Sequence, residues 1–349
     1  MGKIKAAIIG STGYAGAQLA ALLYNHREVE IKYLTSKTYL NQKYSDIYQN
    51  FNSISDIICT EDELEEISKN VDVIFLALPH GIASKKVTKE VLYNSKVIDL
   101  GADFRLKDKE TYEKWYNVEH FSPELLNEAV YGLPEIYGDK IKNAALIANP
   151  GCYTTCSILS IYPLVKNNLI DTNSIIIDAK SGVTGAGRGV NLGVHYCETN
   201  ENIKAYKISS HRHTPEIEQE LSFALNKKIT LQFTPHLVPM NRGILTTSYA
   251  KLNENVTKKD IVDCYFEQYK NKKFVRILKE GIYPETKWTK GTNFIDIGIF
   301  TDTRTNNVII SAAIDNLMKG AAGQAVQNMN LMFNLDESEG LMTSGIFPA

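Results

Sequence analysis

A cysteine that follows a tight turn and opens a helix has the setting of a nucleophile. This chain places Cys152 in Asn149-Pro150-Gly151-Cys152-Tyr153-Thr154-Thr155, between a short apolar run at 144–148 and a helical pattern. Pro150 and Gly151 make the turn, and the unpaired N–H groups and dipole at a helix amino end stabilise a thiolate. A thiolate attacks a carbonyl, and the thioester it forms remains reactive toward hydride. Many cysteines are instead buried structural residues, and local context alone leaves both readings open.

A partner for such a sulfur lies in Ser210-His211-Arg212-His213-Thr214-Pro215-Glu216. Thr214 and Pro215 are expected as the N-cap and first position of a helix, which puts both imidazoles in the loop before it. There, a histidine can act as acid or base toward the cysteine and a thiohemiacetal oxygen; the plainer reading is a solvated loop. Zinc held by His211, His213 and cysteines is a third possibility. Cys152 and Cys156 lack CxxC spacing, and no Lewis acid is needed for the thioester route, so no metal is expected.

Near the start, Gly10-Ser11-Thr12-Gly13-Tyr14-Ala15-Gly16 joins a strand to a helix. Glycines at such a turn allow backbone to approach a pyrophosphate and helix to pack on strand, although the spacing is GxxGxxG and not GxGxxG. The competing reading is a glycine-rich turn with no ligand. Glu28 and Glu30 stand at the beginning of the second strand, whereas its end reads Thr35-Ser36-Lys37. Hydroxyls and a cation there suit a 2′-phosphate, so NADP(H) is the expected cofactor. A second glycine-rich loop, Ser181-Gly182-Val183-Thr184-Gly185-Ala186-Gly187-Arg188-Gly189, can bring N–H groups to an anion or a nicotinamide. Arg105, in Asp103-Phe104-Arg105, and Arg242, in Val238-Pro239-Met240-Asn241-Arg242-Gly243, can grip phosphate bidentately or merely pair with surface acids.

The elements that must position these residues follow from pattern. In the first half, apolar runs at 4–9, 29–34, 71–78, 97–100 and 144–148 alternate with helical stretches such as 15–23 and 84–93. Continuous apolar strands alternating with helices indicate a parallel, doubly wound sheet. In the second half, strands are expected at 174–178, 203–208, 229–238, 244–252, 294–300 and 308–314, with helices at 215–225 and 259–269. Several of these strands alternate apolar with polar residues, as in a mixed α+β sheet with one half-exposed face, a surface suited to pairing with another subunit. Residues 317–333 are expected as a last amphipathic helix. The acidic run from Glu61 to Glu66, following Thr60 as N-cap, reads as a solvated helix start.

At 349 residues the chain exceeds what one core comfortably organises. Its hydrophobic content of 44%, charged content of 22% and net charge of −2 describe a globular protein without long-range attraction for nucleic acid or anionic membranes. Any anionic substrate therefore depends on a few local cations. The segment from Met1 to Gly10 has too short an apolar run for a signal peptide, and Ala6 breaks the myristoylation pattern. No stretch approaches bilayer length. Five scattered cysteines fit free thiols in a reducing compartment, and a cytoplasmic location is expected.

Together GSTGYAG, LALPHG, DLGADFRL, YGLPE, NPGCY, SGVTGAGRG, HRHTPEIEQEL, PHLVPMNRGI and DNLMKGAAGQAVQNMN, in this order along nearly the whole chain, resemble the N-acetyl-γ-glutamyl-phosphate reductase family of the aspartate-semialdehyde dehydrogenase superfamily. The resemblance implies NADPH-dependent reduction of N-acetylglutamyl 5-phosphate to the 5-semialdehyde and phosphate, in arginine synthesis. It implies a Rossmann-type α/β domain at 1–150, a mixed-sheet catalytic and oligomerisation domain at 151–315 like that of glyceraldehyde-3-phosphate dehydrogenase, and a segment 316–349 returning to the first domain. Cys152 is then the nucleophile, His213 the favoured acid/base, and His211 a holder of substrate. Cofactor contacts are implied at Gly10, Ser11, Thr12, Gly13, Tyr14, Gly16, Ser36, Lys37, Pro79, Ser181, Gly182, Asn316 and Gly320, and substrate contacts at Arg105, Asn149, Arg188 and Arg242. A homo-oligomer, dimer or tetramer, is expected. One departure is Thr154, where the family usually has proline, a change expected to loosen the nucleophile's position slightly. Alternatives are a reductase of a longer or carrier-linked acyl phosphate such as aminoadipyl phosphate, a silent NADP-binding sensor, and a cysteine hydrolase, which would have no use for the nucleotide site.

Overall fold

Runs rich in Ile, Val and Ala, bounded by glycine or polar residues, form the strands at the start of the chain. A computed structural model describes residues 2–348; Met1, where the N-terminal segment weighed above begins, and Ala349 lie outside the described residues. In chain order come β1 (Ile4–Ile9), α1 (Tyr14–Tyr24), β2 (Val29–Leu34), β3 (Val73–Leu76), β4 (Lys96–Asp99), α2 (Lys109–Tyr116), β5 (Val130–Tyr131), α3 (Pro134–Lys142) and β6 (Leu146–Ala148). The strands make one sheet in the order β2-β1-β3-β4-β6-β5, parallel at every pair. Ile9, Ile74, Leu76, Val97 and Leu146 are among its buried core, as strands covered on both faces require.

Three local expectations change here. The helical stretch at 84–93 divides into Ala83–Lys86 and Lys89–Asn94, because Thr88 turns extended and caps the second piece by accepting from Val91 N–H at 3.3 Å. Thr60 is no helix cap: it pairs with Thr35 in a β-bridge, which delays the helix to Leu64–Ser68. The acidic run is accordingly not all solvated, since Asp62 is buried and pairs with Lys86 at 3.2 Å and Lys37 at 3.8 Å.

The chain continues through α4 (Cys152–Lys166), β7 (Ile176–Ser181), β8 (Lys204–Ala205), α5 (Thr214–Leu225), β9 (Gln232–Leu237), β10 (Ile244–Lys251), α6 (Lys258–Tyr269), β11 (Val275–Ile277), β12 (Ile295–Asp302) and β13 (Asn307–Ile314). These strands form a mixed sheet in the order β11-β12-β13-β10-β7-β9-β8. The strand expected at 203–208 shrinks to two residues because Lys207 and Ser209 take positive φ, 46° and 57°, and turn the backbone away.

α4 packs against β10, β13, α5 and α6, and every residue from Tyr153 to Val165 is buried. Burial extends to the polar Thr154, Thr155, Ser157 and Ser160, which marks this as an interior helix. It carries Pro163, which has no N–H for the Leu159 carbonyl four residues back. The Tyr269 hydroxyl donates to that carbonyl at 2.5 Å, and the Tyr265 hydroxyl donates to the neighbouring Ser160 carbonyl. Two tyrosines one turn apart on α6 thus complete a helix that its own proline interrupts.

The last helix, α7 (Gly323–Met332), follows a π-turn at Met318–Ala322. Its expected amphipathic character is corrected: Gln324, Gln327, Asn328 and Asn330 are all fully buried. Asn328 and Gln324 both donate to the Gly132 carbonyl at 2.9 Å, and Asn330 donates to the Glu339 carbonyl at 2.9 Å. A polar stripe in sequence does not distinguish water from buried carbonyls as its partner.

Contacts divide the chain into one unit running to Gly151 with Ala321–Met342, and a second of Cys152–Gly320 with the residues from Thr343 on. Relative to the expected boundaries, 316–320 and the C-terminal tail group with the second unit. Asp315 holds that stretch by accepting from Leu317 and Met318 N–H, and Phe347 packs on Trp288 with centroids 4.8 Å apart. No helix among the described residues is long and apolar enough to cross a membrane.

Replacing Tyr269 with Phe leaves the Leu159 carbonyl buried without its donor. The variant is expected to lose about 1–3 kcal/mol of stability in urea unfolding of the full chain; an unchanged midpoint would refute the tyrosine's role as the proline's complement.

Candidate active site

The glycine turn after β1 is built by close approach. Gly10 has φ +80°, and a Cβ there would lie 2.5 Å from the Ala77 carbonyl; one on Gly16 would lie 2.5 Å from the Gly10 carbonyl. Gly13 is extended and precedes α1 with no side-chain cap and no acid in the first turn. The first N–H groups of α1 thus lack a side-chain partner at the cap, which suits an anion. The turn is fastened from outside: Ser11 N–H and hydroxyl both donate to the Thr35 carbonyl, and Gly10 N–H donates to Thr35 Oγ1 at 3.1 Å. Tyr44 and Tyr48 hydroxyls take the Ser11 and Thr12 carbonyls at 3.0 and 2.8 Å. Tyr14 is exposed at the head of the helix.

At the end of β2, Thr12 and Ser36 hydroxyls are 2.8 Å apart, and Lys37 is exposed beyond them. Lys37 and Lys86 share the carboxylate of Asp62, at 3.8 and 3.2 Å. These residues fit a dinucleotide with a phosphorylated ribose. Pro79 is exposed in the loop after β3, and that loop is set by Asp103, which accepts from Gly81 N–H at 2.7 Å, Ser84 N–H at 2.9 Å and the Tyr112 hydroxyl at 2.7 Å. Fully buried Asp99 has its carboxyl pushed up to about 7 by burial and by neighbouring Asp103.

Arg105 is drawn inward. Only 4% exposed, it donates to the Asn149 and Leu100 carbonyls at 2.8 Å each. Asn149 is buried too, donating to the Ala321 carbonyl at 3.1 Å and accepting from Asn328 at 3.0 Å. Expected at substrate, its amide faces the first unit's own network.

In the second unit, Cys152 begins α4, partly exposed, with no acid in the first turn. A Cβ on Gly320 would lie 2.9 Å from the Cys152 Cβ, so glycine is what lets the π-turn pass the sulfur-bearing residue. Thr154 is not a loosened position: it is fully buried and donates to Glu216 Oε1 at 2.9 Å. The histidines gather around Tyr153. His211 has ring neighbours Tyr153, Tyr206 and Phe233 at 5.4–5.6 Å and His213 at 4.8 Å. His213, not Thr214, is the N-cap residue of α5, and its backbone N–H donates to His211 Nδ1 at 3.1 Å. An accepting Nδ1 places the His211 proton on Nε2. Burial, then Lys207 and Arg212, lower its pKa to about 3. The Tyr206 hydroxyl is pushed up to about 12, chiefly by burial, and Tyr153, the residue after Cys152, packs its ring against His211 and His213 at 5.6 and 6.0 Å.

Ser181 ends β7, and a Cβ on Gly182 would lie 2.7 Å from the Asn241 carbonyl. Asn316 is buried, accepting from Gly243 N–H at 2.8 Å and donating to Thr184 at 3.0 Å. Arg242 pairs with fully buried Asp315 at 3.0 Å, and Arg188 is exposed on the second glycine loop. No group of three or more His, Cys, Asp or Glu arranged to hold a metal occurs among the described residues.

Family models match both parts of the chain: the semialdehyde dehydrogenase NAD binding domain over residues 5–144 and the semialdehyde dehydrogenase dimerisation domain over 152–316. A protein of Lachnoclostridium phytofermentans named N-acetyl-gamma-glutamyl-phosphate reductase is 55% identical over 345 residues, 99% of this chain and 100% of that one. One of the same name from Campylobacter jejuni is 55% identical over 340 residues, 97% of this chain and 98% of its own. The chain belongs to the N-acetyl-γ-glutamyl-phosphate reductase family. Among solved structures, aspartate semialdehyde dehydrogenase II of Vibrio cholerae has TM-score 0.71 at 17% identity, covering 96% of this chain and 99% of that one. The Candida albicans enzyme with NADP has TM-score 0.71 at 17% identity, covering 95% and 98%. Both likenesses concern the fold.

Several residues of this family member's site escape pattern reading. Tyr44 and Tyr48 hold the glycine turn from a stretch with no period, and Tyr206, just after β8, and Phe233 of β9 box His211. Thr35 and Tyr153 stood in recognised motifs, but for other roles.

A His211 imidazole held neutral is expected to show Nε2–H tautomer signals unchanged from pH 8 to pH 5 in ¹⁵N NMR. Because its folded pKa lies below the unfolded value, this group's contribution falls as pH drops from about 6.5 toward 3. An imidazole titrating near 6.5 would contradict the assignment.

Proposed function

We propose that this chain reduces N-acetyl-L-glutamyl 5-phosphate with NADPH to N-acetyl-L-glutamate 5-semialdehyde and phosphate, through a thioester on Cys152, in arginine biosynthesis. The observation that carries the reading is a partly exposed cysteine opening a buried helix, whose next residue, Tyr153, packs against the rings of His211 and His213. Relatives named for this reaction at 52–55% identity over nearly the full length support it.

In the mechanism, Cys152 Sγ attacks the acyl-phosphate carbonyl, and the carbon–oxygen bond to phosphate breaks as the thioester forms. Arg188, and Arg242 with its charge partly met by Asp315, are placed here as the cations that face substrate and leaving charge. Arg105 contributes by fixing the Asn149 carbonyl, three residues before the nucleophile. Bound NADPH supplies hydride to the thioester carbon. His213 protonates the thiohemiacetal oxygen and takes that proton back as the aldehyde leaves and Cys152 returns to thiolate. His211, fixed as a neutral Nε2–H donor, holds substrate oxygen without exchanging its proton. The glycine turn, Thr12, Ser36 and Lys37 hold the cofactor, the hydroxyls and the exposed Lys37 favouring NADPH over NADH.

The enzyme acts in the cytoplasm as a homo-oligomer. One face of the second sheet leaves Ile176 and Tyr249 exposed on β7 and β10, a surface a second copy covers.

Cys152→Ser is expected to lower phosphate-dependent oxidation of the semialdehyde by about a thousandfold or more while NADPH binding persists. Substantial turnover in that variant would sink the thioester route. His213→Asn is expected to cost about 10²–10⁴-fold in kcat, and His211→Asn to act mainly on KM; the reverse pattern exchanges the two roles.

A further inference from the structure

The geometry points to Thr154 and Glu216 as a positioning pair, whose buried hydrogen bond sets the nucleophile of α4 in register with the imidazoles that open α5. This rests on the roles given above to Cys152 and His213. Thr154 lies two residues after the nucleophile in the first turn of α4, and Glu216 three residues after His213 in the first turn of α5. The helices pack on each other, and the Thr154 hydroxyl donates to Glu216 Oε1 at 2.9 Å with both side chains fully buried.

A carboxylate is a costly filling for a helix interface, where Leu or Met would pack without loss of hydration. What it adds is direction. Apolar contacts such as those of buried Ile217 and Leu221 tolerate sliding, whereas a hydrogen bond weakens within a few tenths of an ångström. The bond therefore fixes one helix start against the other, at the level where the sulfur and imidazoles stand. A misplacement of about 1 Å between reacting groups costs on the order of 100-fold in rate.

The test uses the full chain. Thr154→Val keeps the shape and removes the donor; Thr154→Ser keeps the donor. The valine variant is expected to lose about 10–100-fold in kcat, with KM within about twofold, NADPH affinity unchanged, and serine restoring kcat to within about threefold. If the valine variant does not fold, Thr154→Ala takes its place with the same expected loss. Wild-type kcat in the variant lacking the donor, or a loss that follows melting temperature and is not restored by serine, would overturn the pair. Cys152→Ser measured alongside separates the two ideas: its activity would end the thioester reading, whereas an inert Cys152→Ser beside a fully active Thr154→Val ends only this inference.

Discussion

A nucleophile at Cys152, as proposed, would have to be held still and yet be reachable, and α4 serves both demands by burying every residue from Tyr153 to Val165. A helix sunk among a sheet and two other helices has little freedom to slide or roll, because its neighbours fill all its grooves. Its first residue inherits that fixity while keeping an open side. The requirement propagates outward. Pro163 interrupts the ladder of this helix, so α6 must bring Tyr265 and Tyr269 to the exposed carbonyls. The polypeptide passing the sulfur must lack a side chain, so Gly320 stands where any Cβ would strike Cys152.

Glycine serves the first unit in the same way. Gly10 and Gly16 leave room for one backbone to lie on another, and the fastening bonds come from side chains well separated in sequence, Thr35, Tyr44 and Tyr48. With the Ser11 and Thr12 carbonyls taken by tyrosines and the Gly10 and Ser11 N–H groups by Thr35, the N–H groups that face a ligand are those at the uncapped head of α1. That polarity, and not the spacing of glycines alone, would suit the turn to a phosphate.

Much of this was legible in the sequence. The strands of the parallel sheet follow from β-branched runs, and the turn–cysteine–helix order follows from Pro150, Gly151 and the apolar residues after Cys152. What escaped has a common cause. Thr60 has the chemistry of a cap, but a bridge to Thr35 takes its backbone. Residues 203–208 have strand composition, but Lys207 and Ser209 turn left-handed. The polar stripe of α7 looks solvated and is buried. For Thr60 and α7 a partner far along the chain decides the outcome, and at 203–208 two non-glycine residues turn left-handed, neither of which local composition announces.

That last helix shows why the chain returns to its first unit. A turn proposed to present a nucleophile has to be stiff, and Pro150 and Gly151 fix its shape without fixing its place. The place comes from Asn149, whose side-chain amide spans the Ala321 carbonyl and the Asn328 amide, while its own carbonyl receives Arg105. Asn328 also bonds the Gly132 carbonyl, where a Cβ would lie 2.5 Å from the Asn328 amide nitrogen, so strand end, turn and helix lock at one point. Burying four amide side chains on one helix makes sense on these terms. Apolar residues would bury as well, but only groups with paired donors and acceptors can tie carbonyls of separate segments into one rigid support.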